Sequence, residues 1–268
     1  MLQRHHGHDF MANAWVFPGG RLDEQDHVVD VADLTARQAG RRLDDDTDPQ
    51  TALALHVAAL RETFEEAGLL LAHRSDDGSM ITFDDSSTRS RFQAFRSAVD
   101  EGELDLAELC RREALVLRVS NLRYLAHWIT PDFESRRYDT RFFVASAPPD
   151  QQATHDNGET THGDWMSPHR AIERYRDDEI LLAPPTLRIL EELTTFSSTR
   201  HLFAELQTRD RPPAILPHPI QQDSADLVLV FPGDPDYPSD HPEMAMTSPV
   251  KSGVTRMIRR GDQWFSIQ

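Results

Sequence analysis

Three glutamates lie at spacings that a helix would bring onto one face. Glu62, Glu65 and Glu66 are related as i, i+3 and i+4, and side chains at these spacings are neighbours on a helix. Like charges at such spacings repel by roughly a few tenths of a kcal/mol per exposed pair. A bound divalent cation would remove that repulsion, and carboxylate oxygens suit Mg²⁺ or Mn²⁺. The trio therefore predicts a site for one of these ions.

The chemistry open to such a site is hydrolysis of a diphosphate linkage. A divalent ion neutralises charge on phosphate oxygens and lowers the pKa of a water that it binds. A further glutamate can accept the proton of that water. Arg61 lies one turn before Glu65 and can orient its carboxylate. These residues alone leave an alternative open, namely a solvated, charged helix face without a metal.

The helix that would carry the trio is predicted from about Pro49 to about Ala67. Asp48 is a suitable N-cap, and proline is favoured at the first helical position. Gly68 supplies the stop. A single apolar stripe at spacings of four, three and four is formed by Leu53, Val57, Leu60 and Phe64.

Upstream of this helix, an aromatic and β-branched run, Ala14-Trp15-Val16-Phe17, predicts a strand that enters the loop Pro18-Gly19-Gly20. Residues 21–48 are rich in Asp, Arg and Gln, and 44–48 form an acidic run. We interpret that run as part of a solvated insertion, because it lacks the glycine and distal glutamate of a calcium-binding loop.

Further along the chain, helical and strand-like patterns alternate. Helical spacing of apolar residues extends over 88–118 and includes Cys110, for which a buried structural thiol is favoured over a nucleophile. Strands are predicted at 122–130, 138–147, 160–166 and 227–231, helices at 168–176 and 185–196, and a terminal hairpin from 254–258 and 263–267. We assign residues 1–205 to the main domain and 206–268 to a C-terminal extension that packs on it.

Composition narrows the class of protein. The 268 residues carry a formal net charge of −17, which argues against nonspecific nucleic-acid binding and against anionic membranes. No apolar stretch approaches the length of a membrane span, and no secretory signal is evident, so a cytoplasmic location is expected. An acidic protein with an anionic substrate needs a local cation, such as a metal ion or a few placed arginines.

The sequence resembles the Nudix hydrolases. Their box, G-x5-E-x7-R-E-U-x-E-E-x-G-U with U aliphatic, is similar in its second half to Arg61-Glu62-Thr63-Phe64-Glu65-Glu66-Ala67-Gly68-Leu69, and only Thr63 departs from it. The run from Trp15 to Asp23 looks like the family's strand and glycine-rich loop. The resemblance implies that Glu62, Glu65 and Glu66 hold Mg²⁺ or Mn²⁺. It also implies an α/β (α+β) Nudix fold, with a mixed sheet between helices and the box as loop–helix–loop.

The box is interrupted in this chain. Arg61 lies 41 positions after Gly20, whereas the uninterrupted box has 14, so 27 residues are inserted. Counted back from Arg61, the first box glutamate falls on Leu53. That glutamate is therefore absent or replaced by a carboxylate of the insert such as Asp23 or Glu24.

A split box resembles the Nudix subgroup that includes peroxisomal coenzyme A diphosphatases. The likeness extends over about residues 10–196. It implies a diphosphatase that converts coenzyme A or an acyl-CoA to 3′,5′-ADP and a 4′-phosphopantetheine. The alternatives are hydrolysis of another nucleoside diphosphate derivative (NADH, ADP-ribose or a nucleotide sugar) and a non-catalytic nucleotide-binding module.

The resemblance also suggests residues outside the helix. Glu159 is the candidate for a distant catalytic carboxylate, and Gly19 and Gly20 for contacts with substrate. Arg137 and Arg141 are candidates for phosphate binding, with ordinary salt bridges, for example to Asp139, as the alternative. His127 and Trp128 are expected in the core rather than in a nucleobase pocket.

The expected partners are a small nucleoside diphosphate substrate and no nucleic acid or membrane, and a homodimer is compatible with this. Family members usually have a strand that begins well upstream of the glycine-rich loop, and only residues 1–4 remain of it here. We therefore expect that the native protein starts earlier or that its sheet has lost an edge.

Overall fold

The computed structural model of the protein describes residues 1–7, 11–27, 30–45, 47–155, 160–221, 227–240 and 253–267. The α-helices in these ranges are α1 (Ala36–Leu43), α2 (Pro49–Ala67), α3 (Ser86–Asp100), α4 (Leu106–Arg112), α5 (Pro168–Arg176), α6 (Pro184–Leu193) and α7 (Thr199–Thr208). None of them has the length and apolar character that crossing a bilayer requires.

The strands are short and fall into several small sheets. They are β1 (Leu2–Arg4), β2 (Trp15–Val16), β3 (Ala72–Arg74), β4 (Leu115–Leu117), β5 (Arg123–Ile129), β6 (Asp139–Val144), β7 (Thr160–Gly163), β8 (Ala214–Ile215), β9 (His218–Gln221), β10 (Leu227–Val230), β11 (Arg256–Arg260) and β12 (Gln263–Ile267). Both parallel and antiparallel pairs occur among them, so the predicted α/β class with mixed strand pairing is confirmed.

The chain divides into two units. Unit 1 consists of Met1–Arg123 and Val144–Met166, and unit 2 of Tyr124–Phe143 and Ser167–Gln268. Unit 2 contains residues on both sides of position 205, and the domain boundary proposed there stays a prediction.

Unit 1 holds the helix predicted to carry the glutamates. In its three-stranded sheet, β1 lies between β2 and β7 and is antiparallel to both. Leu2 is paired with Val16 and with Gly163, so β2 and β7 run in the same direction. The glycine-rich loop therefore follows β2 at the same end of the sheet at which β7 ends.

The insertion differs from the expectation of a solvated segment. It contains a 3₁₀ turn, Glu24–His27, and α1, which begins with a capping box at Thr35 and Gln38. Ala39 and Leu43 of α1 are fully buried and α1 packs on α2. Asp44 and Asp48 of the acidic run are exposed, as a solvated segment requires, but α1 is packed against the protein, because a short apolar stripe within a polar sequence is enough to dock a helix.

The predicted helical stretch over 88–118 is two helices and a strand. Gly102, at a φ of 70°, follows α3, and Ala114, at a φ of 52°, follows α4. A left-handed residue cannot continue a helix, so the chain turns at both points. Cys110 of α4 is fully buried, as predicted, and burial raises the pKa of its thiol to about 12.

Unit 2 contains two sheets. The order β6-β5-β8 includes the parallel pair of β5 and β8, whereas β9, β10, β11 and β12 form an antiparallel meander. The terminal hairpin of β11 and β12 turns at Gly261, whose φ is 59°. Val228 and Val230 of β10 are fully buried and form a cluster with Tyr237 and Ile258.

Leu43→Ala tests the packing of α1. Removal of this fully buried side chain should lower the free energy of unfolding by about 2–5 kcal/mol. The matched control in the same helix is Arg41→Ala, which alters an exposed side chain and should stay within about 0.5 kcal/mol of wild type. Urea unfolding measures both, and equal stabilities of the two variants would show that α1 is not part of the core.

Candidate active site

Helix α2 has the predicted bounds, and its caps account for them. The Asp48 side chain accepts hydrogen bonds from the backbone N–H groups of Gln50 and Thr51 at 3.0 and 3.2 Å. At the other end, Gly68 has a φ of 69° and its N–H donates to the carbonyl of Phe64. A left-handed C-cap of this kind favours glycine. The apolar side chains of the helix, including Leu53 and Phe64, are buried, which fixes the face that carries the glutamates.

Arg61 forms the centre of the charged cluster. Its Nη1 donates to Glu62 Oε1 at 2.9 Å and to Glu65 Oε2 at 2.8 Å. Its Nε and Nη2 donate to the two oxygens of Asp26 at 2.9 and 3.0 Å. Nη2 also donates to the carbonyl of Arg21 at 2.8 Å. Arg61 is 5% exposed and Asp26 1%, so the pair is screened from water and each needs the other.

Asp26 was not named in the sequence analysis, which took the first box glutamate as absent or replaced by a carboxylate such as Asp23 or Glu24. Both of those residues are exposed, and the Asp23 N–H donates to Asp26 at 2.8 Å. Counting forward from Gly20 would have found Asp26, because it stands six positions later, as the first glutamate of the box does. The 27 inserted residues therefore lie between Asp26 and Arg61, and the half of the box that precedes them retains its spacing.

The glycine-rich loop meets the glutamates through its backbone. The Gly19 N–H donates to Glu66 Oε2 at 3.0 Å. A Cβ on Gly20 would lie 2.3 Å from Glu62 Oε1, so no side chain fits there in this arrangement. Both glycines were predicted as contacts for substrate. The structure brings them to the carboxylates of α2, and their contact with substrate stays a prediction.

The pKa of Glu65 is raised to about 7. Burial is the main cause and Glu62 adds to it, whereas the guanidinium of Arg61 opposes the shift. The pKa of Arg61 is raised, because its carboxylate partners, Asp26 foremost, outweigh the effect of burial. Glu65 therefore exchanges a proton near neutral pH, and a cation bound to its carboxylate would displace that proton.

The three glutamates have the donor chemistry of a Mg²⁺ or Mn²⁺ site. All their ligand atoms are hard carboxylate oxygens, and they come from two successive turns of one helix. Within the described ranges, however, no group of three or more His, Cys, Asp or Glu side chains is already gathered around one point. Glu62 and Glu65 point to Arg61, and Glu66 points to Gly19. Convergence on an ion would thus require side-chain rotation but no change of helix α2.

The other predicted site residues lie elsewhere. Glu159 is outside the described residues. In unit 2, Arg137 Nε donates to the carbonyl of Thr130 at 2.9 Å, and Arg141 Nη1 to Asp139 Oδ1 at 3.2 Å. The contact of Arg141 is the salt bridge that was named as the alternative to phosphate binding.

The two residues expected in the core are buried in unit 2. Trp128 is 4% exposed and lies edge-on to Phe231, with ring centroids 5.4 Å apart. His127 is 5% exposed and forms a hydrogen bond with Asp139.

Comparison with known proteins decides the family. Residues 38–193 match the family model described as the NUDT19 Nudix domain. The chain belongs to this Nudix family. Helix α2 lies inside the matched range, whereas Gly19, Gly20 and Asp26 precede it.

Three relatives carry the name acyl-coenzyme A diphosphatase NUDT19. The chicken protein (Gallus gallus) is 30% identical, over 96% of this chain and 77% of its own length. The Xenopus laevis protein is 26% identical, over 90% and 71%, and the human protein is 26% identical, over 100% and 79%. The predictions of a Nudix subgroup with coenzyme A diphosphatases and of a Nudix diphosphatase enzyme are confirmed. Nudix hydrolases generally use divalent metals.

A solved structure shares the fold of this Nudix protein. The crystal structure of a Nudix hydrolase from Alicyclobacillus acidocaldarius aligns with a TM-score of 0.62 at 24% identity. The alignment covers 79% of this chain and 88% of the other. This likeness confirms the Nudix fold.

Asp26→Asn tests whether the first half of the box supplies part of the cluster. The amide keeps the shape but removes the charge that faces Arg61, which should lower the free energy of unfolding by about 3 kcal/mol or more. The control Asp23→Asn changes an exposed carboxylate three residues away and should be near wild type. Thermal and urea unfolding of both variants give the comparison, and equal stability of the two would remove Asp26 from the cluster.

Proposed function

We propose that this Nudix protein is a divalent-metal-dependent diphosphatase of coenzyme A or acyl-CoA, with 3′,5′-ADP and 4′-phosphopantetheine or its acyl derivative as products. The observation that carries the reaction class is the charged cluster of α2, in which the buried guanidinium of Arg61 holds Glu62 and Glu65 and the Gly19 N–H holds Glu66. The substrate rests on the three relatives named acyl-coenzyme A diphosphatase.

In this proposal Glu62, Glu65 and Glu66 hold Mg²⁺ or Mn²⁺. When bound, such an ion supplies charge neutralisation on the phosphate oxygens and a lowered pKa of a bound water. The overall charge of −17 makes a local cation necessary for an anionic substrate. The family relationship supports a divalent metal, and the choice of these two ions rests on the carboxylate donors.

The chain's own residues orient these ligands. Arg61 holds Glu65 from one side, and the Gly19 N–H holds Glu66 from the other, at 2.8 and 3.0 Å. The pKa of Glu65 is about 7 without a metal, so an ion that binds its carboxylate must displace a proton when the solution is near neutral or more acidic. Glu159 remains our candidate for a further catalytic carboxylate, and Arg137 and Arg141 for contacts with substrate phosphates.

Two other functions remain as alternatives. Another nucleoside diphosphate derivative as substrate would leave the metal cluster unchanged, because specificity is determined outside the box. A non-catalytic nucleotide-binding module is disfavoured, because a binder has no need of three crowded carboxylates. The homodimer and the cytoplasmic location stay predictions.

A substrate panel tests the reaction. We expect phosphate-ester products from coenzyme A and acetyl-CoA in the presence of Mg²⁺ or Mn²⁺, little product from NADH, ADP-ribose and nucleotide sugars, and none with EDTA. Chromatography of the released nucleotide gives the readout, which is 3′,5′-ADP from coenzyme A and acetyl-CoA and a nucleoside 5′-monophosphate from the other members of the panel. Preference for another member of the panel would retain the reaction class and reject the coenzyme A assignment, whereas equal rates with EDTA would reject the metal.

Glu65→Gln separates the enzyme from the binding module. Loss of this carboxylate should lower kcat by several orders of magnitude, about 10³-fold or more, with the fold retained. The control is Glu101→Gln, an exposed glutamate just after α3, which should keep the wild-type rate. A Glu65→Gln protein as active as wild type would contradict the assignment of the metal ligands.

A further inference from the structure

The last turn of α2 is completed by groups from outside the helix. The final carbonyls of any α-helix lack intrahelical partners. Here the carbonyl of Glu65 accepts from Arg96 Nε of α3 at 2.7 Å, and the carbonyl of Ala67 accepts from the Thr154 N–H at 2.9 Å. Two of the carbonyls of this turn are thus paired with donors that lie 31 and 87 positions away in sequence.

Arg96 also binds Thr154 directly through its guanidinium. Its Nη1 donates to Thr154 Oγ1 and its Nη2 to the Thr154 carbonyl, both at 2.9 Å. Arg96 is only 3% exposed, although it sits in a helix whose other arginines face solvent more openly. A buried guanidinium is costly unless it is fully hydrogen-bonded, and a cation at the carboxyl end of a helix is favoured by the helix dipole.

The glycine at the end of the box leaves room for this arginine. A Cβ on Gly68 would lie 3.0 Å from Arg96 Nη1 and 3.2 Å from Thr154 Oγ1. Gly68 therefore has two functions, since it adopts the left-handed φ of 69° and lets the guanidinium approach the helix end.

A neighbouring contact secures the same region. The side chain of Gln151 accepts from the Leu70 N–H at 2.8 Å and donates to the carbonyls of Leu70 and Ile81 at 3.0 and 3.1 Å. Gln151 is 8% exposed. The segment from Gln151 to Thr154 is therefore fixed against α2 and the residues that follow it. Arg96 binds this segment at Thr154.

We propose that Arg96 is a positioning residue, which holds the last turn of α2 so that the carboxylates of Glu65 and Glu66 stay aligned for the metal. The inference rests on the proposed function, but it concerns residues that touch neither metal nor substrate. Arg96 acts through the backbone of Glu65, whereas Arg61 acts on the side chain of the same residue. Glu65 is thus held at both its backbone and its carboxylate.

Four variants test the proposal. Arg96→Met removes the charge and the three hydrogen bonds described above. Arg96→Lys keeps the charge but not the planar fork, and Thr154→Val removes only the hydroxyl acceptor. The matched control is Arg91→Met, an arginine of the same helix whose side chain is 50% exposed and pairs with Glu113 at 3.0 Å.

Three measurements are made on each variant. The first is hydrogen exchange of the metal-free protein in the peptides that cover residues 64–72 and 151–155. The second is the Mn²⁺ requirement, measured as the dissociation constant for Mn²⁺ by calorimetric titration. The third is kcat and KM for coenzyme A at a temperature well below every Tm.

We expect Arg96→Met and Arg96→Lys to exchange faster in both peptides and to need more Mn²⁺, with kcat lower by about 10- to 100-fold for Arg96→Met. The KM for coenzyme A should stay within about twofold, because Arg96 does not contact substrate. Thr154→Val should show the same changes to a smaller degree, and Arg91→Met none of them.

A purely structural role of Arg96 predicts a different result. Tm would fall, whereas the Mn²⁺ requirement and kcat of the folded variants would equal those of wild type, and this would overturn the proposal. If Arg96→Met does not fold, the same measurements on Arg96→Lys and Thr154→Val distinguish the positioning role from a purely structural one. If wild type hydrolyses no member of the panel, the proposed function fails, while exchange and the Mn²⁺ requirement still test Arg96.

Discussion

The buried charge of Arg61 is the constraint on which the described part of unit 1 depends. A guanidinium that is 5% exposed must find its hydrogen-bond partners inside the protein, and it does so with Asp26, Glu62 and Glu65. These contacts gather the 3₁₀ turn that contains Asp26 and helix α2 around one cation. The group that stabilises the fold therefore also holds Glu62 and Glu65 on the face of α2 from which they could turn to a metal ion.

An insertion of 27 residues within the box is compatible with this arrangement, because the residues on its two sides, Asp26 and Arg61, are in direct contact. Asp26 follows Gly20 at the spacing that the family has between its box glycine and first box glutamate. After the turn at Asp26, α1 packs on α2, and its residues Ala39 and Leu43 are buried. Extra loop length costs little free energy when both ends are already anchored, since closure entropy grows only with the logarithm of length. The insertion thus adds α1 beside α2 and leaves the contacts of Arg61 with Asp26, Glu62 and Glu65 in place.

Local signals predicted the approximate bounds of α2, because both of its ends are determined by short-range chemistry at Asp48, Pro49 and Gly68. The trio of glutamates followed from helical spacing alone. Asp26 was missed because the count was made backward from Arg61, across the insertion, and α1 because its apolar stripe is short. Arg96 carries no local signal at all, since its partners, Glu65 and Thr154, are distant in sequence and only the fold brings them together.

The central claim is that the glutamates around Arg61 form one metal site, and the most direct measurement is the effect of Mn²⁺ on thermal unfolding. A ligand that binds only the folded state raises Tm by an amount that grows with ligand concentration above its Kd. The account predicts such a rise for wild type and its loss in Glu65→Gln and Glu66→Gln, with Glu101→Gln like wild type. No rise in wild type, or the same rise in all four proteins, would contradict it.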